Sequence, residues 1–60
     1  KRSLVSIKNI KKNQVLKAED FWSKRPGTGI PSRFYDNFIG KKAKKEIKIN
    51  TLLNNKFFYK

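Results

Sequence analysis

The chain has no cysteine and no histidine. Their absence excludes disulfide staples, thiolate and imidazole metal sites, cysteine–histidine nucleophilic pairs and serine–histidine triads. Acidic side chains are almost as scarce: Glu19, Asp20, Asp36 and Glu46 are set against sixteen Lys or Arg. Glu19 and Asp20 are neighbours beside one expected helical turn, while Asp36 and Glu46 are parted by Gly40. Neither arrangement makes an acid–base pair or a metal cluster, so no catalytic residue, metal ligand or cofactor is assigned to this chain. No apolar run approaches the roughly 20 residues that span a bilayer, and no signal-peptide core is visible, so no membrane partner is expected. The lack of cysteine fits a cytoplasmic origin.

What remains is small and strongly basic. Sixty residues allow one domain, near the lower limit for folding without staples. A hydrophobic share of 37% with 13% aromatics argues against disorder. The net charge of +12 raises the possibility of nucleic-acid binding. Yet thirteen of the sixteen cations are lysines, spread from Lys1 to Lys60, with no interleaving of arginines and exposed aromatics. A basic nucleic-acid-binding module is therefore the alternative reading, and a solvated surface of biased composition explains the charge more simply.

Apolar alternation predicts a strand over 3–8, with Val5 and Ile7 on one face. Lys11-Lys12-Asn13 reads as a tight turn, since Asn tolerates the left-handed region. Val15-Leu16 is a short apolar step, residues 17–21 suggest one turn of α or 3₁₀ helix, and Trp22-Ser23-Lys24 is extended. Phe34 and Phe38, like Tyr35 and Ile39, are four apart, and Gly40 is a natural stop, which predicts a helix over 31–40. Residues 41–47 are a strand candidate. The segment Ile10 to Leu16 matches Ile47 to Leu53 at one constant offset, and Phe21 then falls on Phe58. With two copies only, this predicts a pseudo-two-fold domain of two similar β units rather than a solenoid. The expected core is Val5, Ile7, Ile10, Val15, Leu16, Phe38, Ile39, Ile47 and Leu52.

Between the copies lies Lys24-Arg25-Pro26-Gly27-Thr28-Gly29-Ile30-Pro31, which holds both prolines and two of the three glycines. Pro26 fixes its own φ and extends Arg25, and Gly27 and Gly29 permit backbone angles closed to other residues. Such a loop aims one long side chain, and Arg25 is the candidate. The plain alternative is an arginine that is solvated or stacked on Trp22. Read as a phosphate cradle, Gly27-Thr28-Gly29 is weak, because no Lys-Ser/Thr pair follows. Phe34, Tyr35 and Phe38 read as packing residues before a base-stacking platform.

The ordered set Arg2-Ser3-Leu4-Val5, Ile10-Lys11-Lys12, Lys24-Arg25-Pro26-Gly27-Thr28-Gly29-Ile30, Ile39-Gly40-Lys41-Lys42-Ala43 and Ile47-Lys48 resembles the C-terminal antifreeze-like (SAF) domain of bacterial sialic acid synthases. The resemblance covers nearly the whole chain, and its most specific part is Arg25-Pro26-Gly27 with Gly29-Ile30. It implies a mostly β, pretzel-like β-clip fold over 1–60. It implies that the piece is cut from the C-terminus of a larger synthase whose (β/α)₈ barrel is absent here. That parent would be an enzyme, condensing phosphoenolpyruvate with N-acetylmannosamine or a related amino sugar, with Mn²⁺ or Mg²⁺ in its barrel. The sugar stays open among N-acetylmannosamine and the modified hexoses used for legionaminic and pseudaminic acid. The domain by itself would not be catalytic. In a domain-swapped homodimer it would cap the barrel of the neighbouring subunit and supply Arg25 to the sugar's N-acetyl region. Pro26, Gly27, Thr28 and Gly29 would position that loop. Arg25 would bind and orient, since a guanidinium does not serve as a base near neutral pH. The positive charge would then also attract anionic substrate.

The chain departs from the family in two places. Asn13 and Asn50 stand at turn positions usually held by glycine, and Pro31 precedes Ser32, as in fish type III antifreeze proteins, which shifts the helix start. Ice binding is the third reading. It ranks last because the long hydrated side chains of Lys17 and Lys42 fall on the surface that would have to be flat and apolar.

Overall fold

The computed structural model describes residues 1–25 and 27–59. Its plan follows from the doubled sequence segment. Asn13 and Asn50, at matching places in the two copies, both adopt left-handed backbone (φ 71° and 66°). A short amide side chain makes that region accessible, so each copy turns sharply where a longer residue would resist. After each turn comes an apolar pair with one residue out and one in. Val15 and Leu52 are exposed, whereas Leu16 and Leu53 are buried. A 3₁₀ turn follows each pair, Ala18–Asp20 in the first copy and Asn55–Phe57 in the second. Each turn delivers a buried phenylalanine, Phe21 or Phe58.

The backbone hydrogen bonds obey the same relation. Asn13 N–H donates to the Ala43 carbonyl and Asn50 N–H to that of Ser6, each at 2.8 Å. Leu16 N–H donates to Lys41 (2.8 Å) and Leu53 N–H to Leu4 (3.0 Å). Ile7 N–H reaches Asp20, and its counterpart Lys44 reaches Phe57. On the pseudo-axis, Ile10 and Ile47 exchange bonds with each other at 2.7 and 2.8 Å. Each copy thus satisfies the backbone of the other, so neither forms a closed unit alone.

Regular structure is sparse, as expected for a small, mostly β domain. Strand β1 (Ser3–Ser6) pairs antiparallel with β2 (Phe21–Lys24) in the register Ser3 with Lys24 and Val5 with Trp22. Elsewhere the chain meets itself in single bridges: Ser3 with Pro31, Val5 with Leu52, Val15 with Lys42, Ala43 with Phe58. Residues 41–47 are therefore not a strand. Lys42 and Ala43 lean on different segments, and Ile47 on a third, so no continuous ladder forms. The predicted 31–40 helix is shorter and tighter at its start. A 3₁₀ turn, Ser32–Phe34, leads into the single turn α1 (Tyr35–Phe38), and Gly40 at φ 94° ends it.

The core comprises Leu4, Val5, Ile10, Leu16, Phe21, Phe38, Ala43, Ile47, Leu53 and Phe58. This corrects the expected list. Ile7, Val15, Ile39 and Leu52 are exposed, and Leu4, Phe21, Ala43, Leu53 and Phe58 take their places. The alternation argument fails at β1 because all four strand residues are buried, so neither face is left to solvent, while β2 pairs with one edge and residues 30–31 and 51–53 with the other. Ile7 lies just past that enclosure. Polar groups inside are satisfied: the Ser6 hydroxyl donates to the Lys48 carbonyl (2.6 Å) and accepts from Thr51 N–H (3.0 Å). No helix of the described residues is long and apolar enough to cross a membrane.

Candidate functional site

The loop after β2 wraps the start of β1. Lys24 sits opposite Ser3 on one edge of β1, and Pro31 returns opposite the same residue on the other. The return leg is fastened at three points. Gly29 N–H donates to the Ser3 hydroxyl at 2.9 Å, Leu4 N–H to the Ile30 carbonyl at 2.9 Å, and Ser32 N–H to the Arg2 carbonyl at 3.1 Å. The outgoing leg is braced by Arg2. Its Nε donates to the Ser23 hydroxyl (3.1 Å) and its Nη2 to the Ser23 carbonyl (2.9 Å). Lys24 Nζ adds a bond to Asn50 Oδ1 at 3.1 Å.

Both glycines of this loop meet close neighbours. A side-chain carbon on Gly27 would collide with Lys1, and one on Gly29 would come within 3.2 Å of a Leu52 methyl and 3.5 Å of Ser3 Cβ. The expectation that Gly29 supplies an unusual backbone angle is replaced by a spatial reason. Gly40 is the glycine at positive φ among the described residues, and it lies at the end of α1. Thr28 is exposed at the loop surface. Pro26, named above as a loop-positioning residue, lies outside the described residues.

Arg25 is exposed, directly after the last residue of β2. Among the described residues it has no hydrogen-bond or ion-pair partner, and it does not stack on Trp22. It is the next residue beyond a strand end that the neighbouring residues Arg2 and Ser3 hold, Arg2 on Ser23 and Ser3 opposite Lys24. Shallow concavities flank the loop. One, of about 310 Å³, is lined by Lys1, Arg2, Gly27, Pro31, Ser32 and Arg33. A second, of about 330 Å³, lies between Ile30, Pro31, Phe34 and the residues around Phe38. A third, of about 350 Å³, is lined by Thr28, Gly29, Ile30, Pro31 and residues 53–55. Arg25 lines none of these. Its exposed guanidinium carries five donors, a set suited to carbonyl or hydroxyl acceptors.

The other candidates separate cleanly. Asp20 is buried and structural: its Oδ2 accepts from Lys17 N–H at 2.9 Å and from the Gln14 amide at 3.3 Å. Glu19 pairs with Lys8 and Glu46 with Lys48, each at 3.4 Å and on the surface, where such pairs contribute little. Asp36 is exposed on α1. Among the described residues no three carboxylates meet as a metal site would require. Of the three aromatics read as packing residues, Phe38 is buried and Tyr35 half-buried, while Phe34 is exposed beneath the Arg33 guanidinium, 4.7 Å from its centroid. Lys41, Lys44 and Lys45 lie over Phe38, Tyr59 and Phe57. Rings already covered by the chain's own cations make a poor base-stacking platform. Lys17 and Lys42 are exposed, and Lys42 is bridged to the exposed Val15, so charge borders that apolar residue.

Sequence reasoning missed the braces Arg2, Ser3 and Ser23, and it treated Trp22 only as a place for Arg25 to rest. The sole hint was Arg2 and Ser3 lying within a motif segment.

The family model described as "SAF domain" matches residues 1–58. Pseudaminic acid synthase of Campylobacter jejuni is 42% identical over 52 residues, which cover 87% of this chain and 15% of that protein. Pseudaminic acid synthase of Helicobacter pylori is 40% identical over 53 residues, covering 88% of this chain and 16% of the relative. The N,N'-diacetyllegionaminic acid synthase of Campylobacter jejuni is 38% identical over 53 residues, with the same shares of 88% and 16%. The chain thus spans 15–17% of the length of these curated relatives.

Proposed function

The chain belongs to the SAF domain family, and from that premise we propose that it serves as the sugar-capping domain of a nonulosonic acid synthase. Its relatives carry this domain in enzymes named for making pseudaminic and diacetyllegionaminic acids, which supports a role in nonulosonic acid biosynthesis. The reaction of the parent is the condensation of phosphoenolpyruvate with an N-acetylated amino sugar. A barrel domain performs it, and the divalent cation belongs to that barrel. This domain lies over the barrel mouth of the neighbouring subunit in a homodimer and lends it Arg25. A cytoplasmic location is part of the same reading.

The observation that carries the proposal is Arg25 itself: an exposed guanidinium without a partner among the described residues, just after a strand that is paired with β1 and tied by the Arg2 side chain. The backbone before it is hydrogen-bonded, so binding has chiefly the side chain of a permanently charged donor to order. Arg25 binds the N-acetyl carbonyl and fixes the sugar's orientation. It moves no proton.

The test is Arg25→Ala in the full-length synthase, with the sugar it turns over fastest among N-acetylmannosamine and the hexoses used for legionaminic and pseudaminic acid. Loss of a hydrogen bond from a charged donor predicts a fall in kcat/KM for the sugar of about ten- to a hundredfold. KM for phosphoenolpyruvate should hardly change. Sugar kinetics near wild type would rule out the assigned role.

A further inference from the structure

The cations of this chain follow two patterns. Its thirteen lysines are spread from end to end, as a bias of composition would leave them. Its three arginines gather around one loop. Arg25 opens that loop, while Arg2 and Arg33 line the concavity of about 310 Å³ that Gly27 walls, together with Lys1, Pro31 and Ser32. A preference for lysine accounts for the first pattern and not for the second.

Local contacts shape the concavity. Ser32 N–H donates to the Arg2 carbonyl at 3.1 Å, which joins two of its sides. Gly27 comes so close to Lys1 that a side-chain carbon there would collide with it. The Arg2 guanidinium is fixed through its Nε and Nη2 bonds to Ser23 at 3.1 and 2.9 Å, so part of the cost of ordering it is met before any ligand arrives.

Its charge is uncompensated. Among the described residues Glu19 pairs with Lys8 and Glu46 with Lys48, and no carboxylate pairs with Lys1, Arg2 or Arg33. Arg33 lies over the Phe34 ring at 4.7 Å, a contact that leaves hydrogen-bond donors to spare. The lining side chains bring three cations and the Ser32 hydroxyl, and no carboxylate. Like charges around one hollow repel each other, and an anion seated among them turns that repulsion into attraction.

Resting on the capping role proposed above, we infer that this concavity is an oxyanion site, taking the phosphate group of phosphoenolpyruvate or the phosphate that the condensation sets free. Guanidinium forks match the oxygens of a phosphate, and the lysine ammonium adds a point charge. A phosphate outbids a single carboxylate here, because it carries nearly two charges and spreads them over three oxygens. The volume lies at the small end of the range for small-molecule sites, which suits a phosphate on a short carbon skeleton.

The experiment uses the full-length synthase at fixed ionic strength, with phosphoenolpyruvate as the varied substrate and inorganic phosphate as the inhibitor. It compares Arg33→Gln, Lys1→Gln and Lys12→Gln, leaving Arg2 in place because it also braces β2. Lys12 is exposed outside the concavity, so its loss removes the same charge and reports on total charge alone. Expected for Arg33→Gln and Lys1→Gln is a rise of about three- to tenfold in the phosphate inhibition constant, with sugar KM unchanged and Lys12→Gln like wild type. A matching rise in phosphoenolpyruvate KM identifies the substrate as the occupant, and an unchanged one identifies the released phosphate. Arg33→Lys, which keeps the charge and loses the fork, should restore only part of the loss. If Arg33→Gln and Lys1→Gln leave both constants at wild-type values, the inference is wrong. If Lys12→Gln shifts them equally, the effect belongs to total charge, and the inference is equally discarded. The capping role is judged apart from this, by the sugar kinetics of Arg25→Ala, so either reading can fail while the other's own measurement still stands.

Discussion

The two copies of the repeated unit follow one backbone path with different side chains outside it. Where the path depends on a residue, the copies agree: Ile10 with Ile47, Asn13 with Asn50, Leu16 with Leu53, Phe21 with Phe58. Where it does not, they diverge. The first copy extends its pairing into the β1–β2 ladder and passes the chain to the Arg25 loop. Among the described residues the second has the bridge Ala43 with Phe58 in place of that ladder, and it covers its outer rings with Lys44 and Lys45. Even the turn braces differ. Asp20 reaches back to Lys17 N–H in the first copy, whereas Asn54 accepts from Lys56 N–H in the second. The shared residues build the fold. The Arg25 loop, for which a binding role is proposed, belongs to one copy alone.

The strongest way to break this comparison is to empty the two equivalent core sites. Phe21→Ala and Phe58→Ala should each destabilise by about 3–5 kcal/mol, a large part of the stability available to a domain this small. Phe21→Ala should be the worse. Phe21 is fully buried and also stacks on Tyr35, while Phe58 is 4% exposed and meets Phe38 edge-on at 5.6 Å. Urea unfolding followed by circular dichroism measures both. Equal losses would mean that the Tyr35 stack adds nothing and that the first copy is no better anchored than the second.

A smaller effect is expected at Ser6 and Ala43, which correspond across the pseudo-axis and are both fully buried. The Ser6 hydroxyl serves the Lys48 carbonyl and Thr51 N–H, so Ser6→Ala leaves buried groups without partners and should cost about 1–3 kcal/mol. The reverse exchange, Ala43→Ser, places a hydroxyl where the second copy keeps a methyl, and it should also destabilise. Two losses from two reciprocal swaps would show that the copies have become specialised inside as well as out. A neutral Ala43→Ser would show that the second site retains unused hydrogen-bonding capacity.

The same division explains how far sequence reasoning reached. The repeat, both asparagine turns, the 3₁₀ turn at Ala18–Asp20 and the stop at Gly40 were legible, because each depends on one residue's local backbone preference. The core was read less well, because burial here is set by partners distant in sequence. Leu4 and Val5 are both inside because both faces of β1 are buried, which strand alternation does not foresee. Applied strictly, the repeat would have corrected one error: once Leu16 is inside, its counterpart is Leu53 and not Leu52. Of the candidate site, the loop was legible from the clustered prolines and glycines, while the role of Arg25 is a proposal that rests on the family motif. The Arg2 clamp on Ser23 and the edge-on packing of Trp22 against Tyr35 were not legible, since both join residues far apart in the chain.

The finest test concerns the asparagine turns, where the copies look identical. Relative to glycine, a left-handed residue with a Cβ carries a strain of about 1 kcal/mol, lower for asparagine than for most others. Asn13→Gly should therefore stabilise by up to about 0.5 kcal/mol. Asn50→Gly relieves the same strain but also removes the Oδ1 that accepts from Lys24 Nζ at 3.1 Å. It should gain less or nothing, and because Lys24 adjoins Arg25 it should also loosen the loop. Hydrogen exchange at Gly29 and Ile30 would detect that loosening where a thermal midpoint would not. If the two variants behave alike in both measurements, the bond from Lys24 contributes nothing to holding the loop, and its rigidity rests on Arg2 and Ser3 alone.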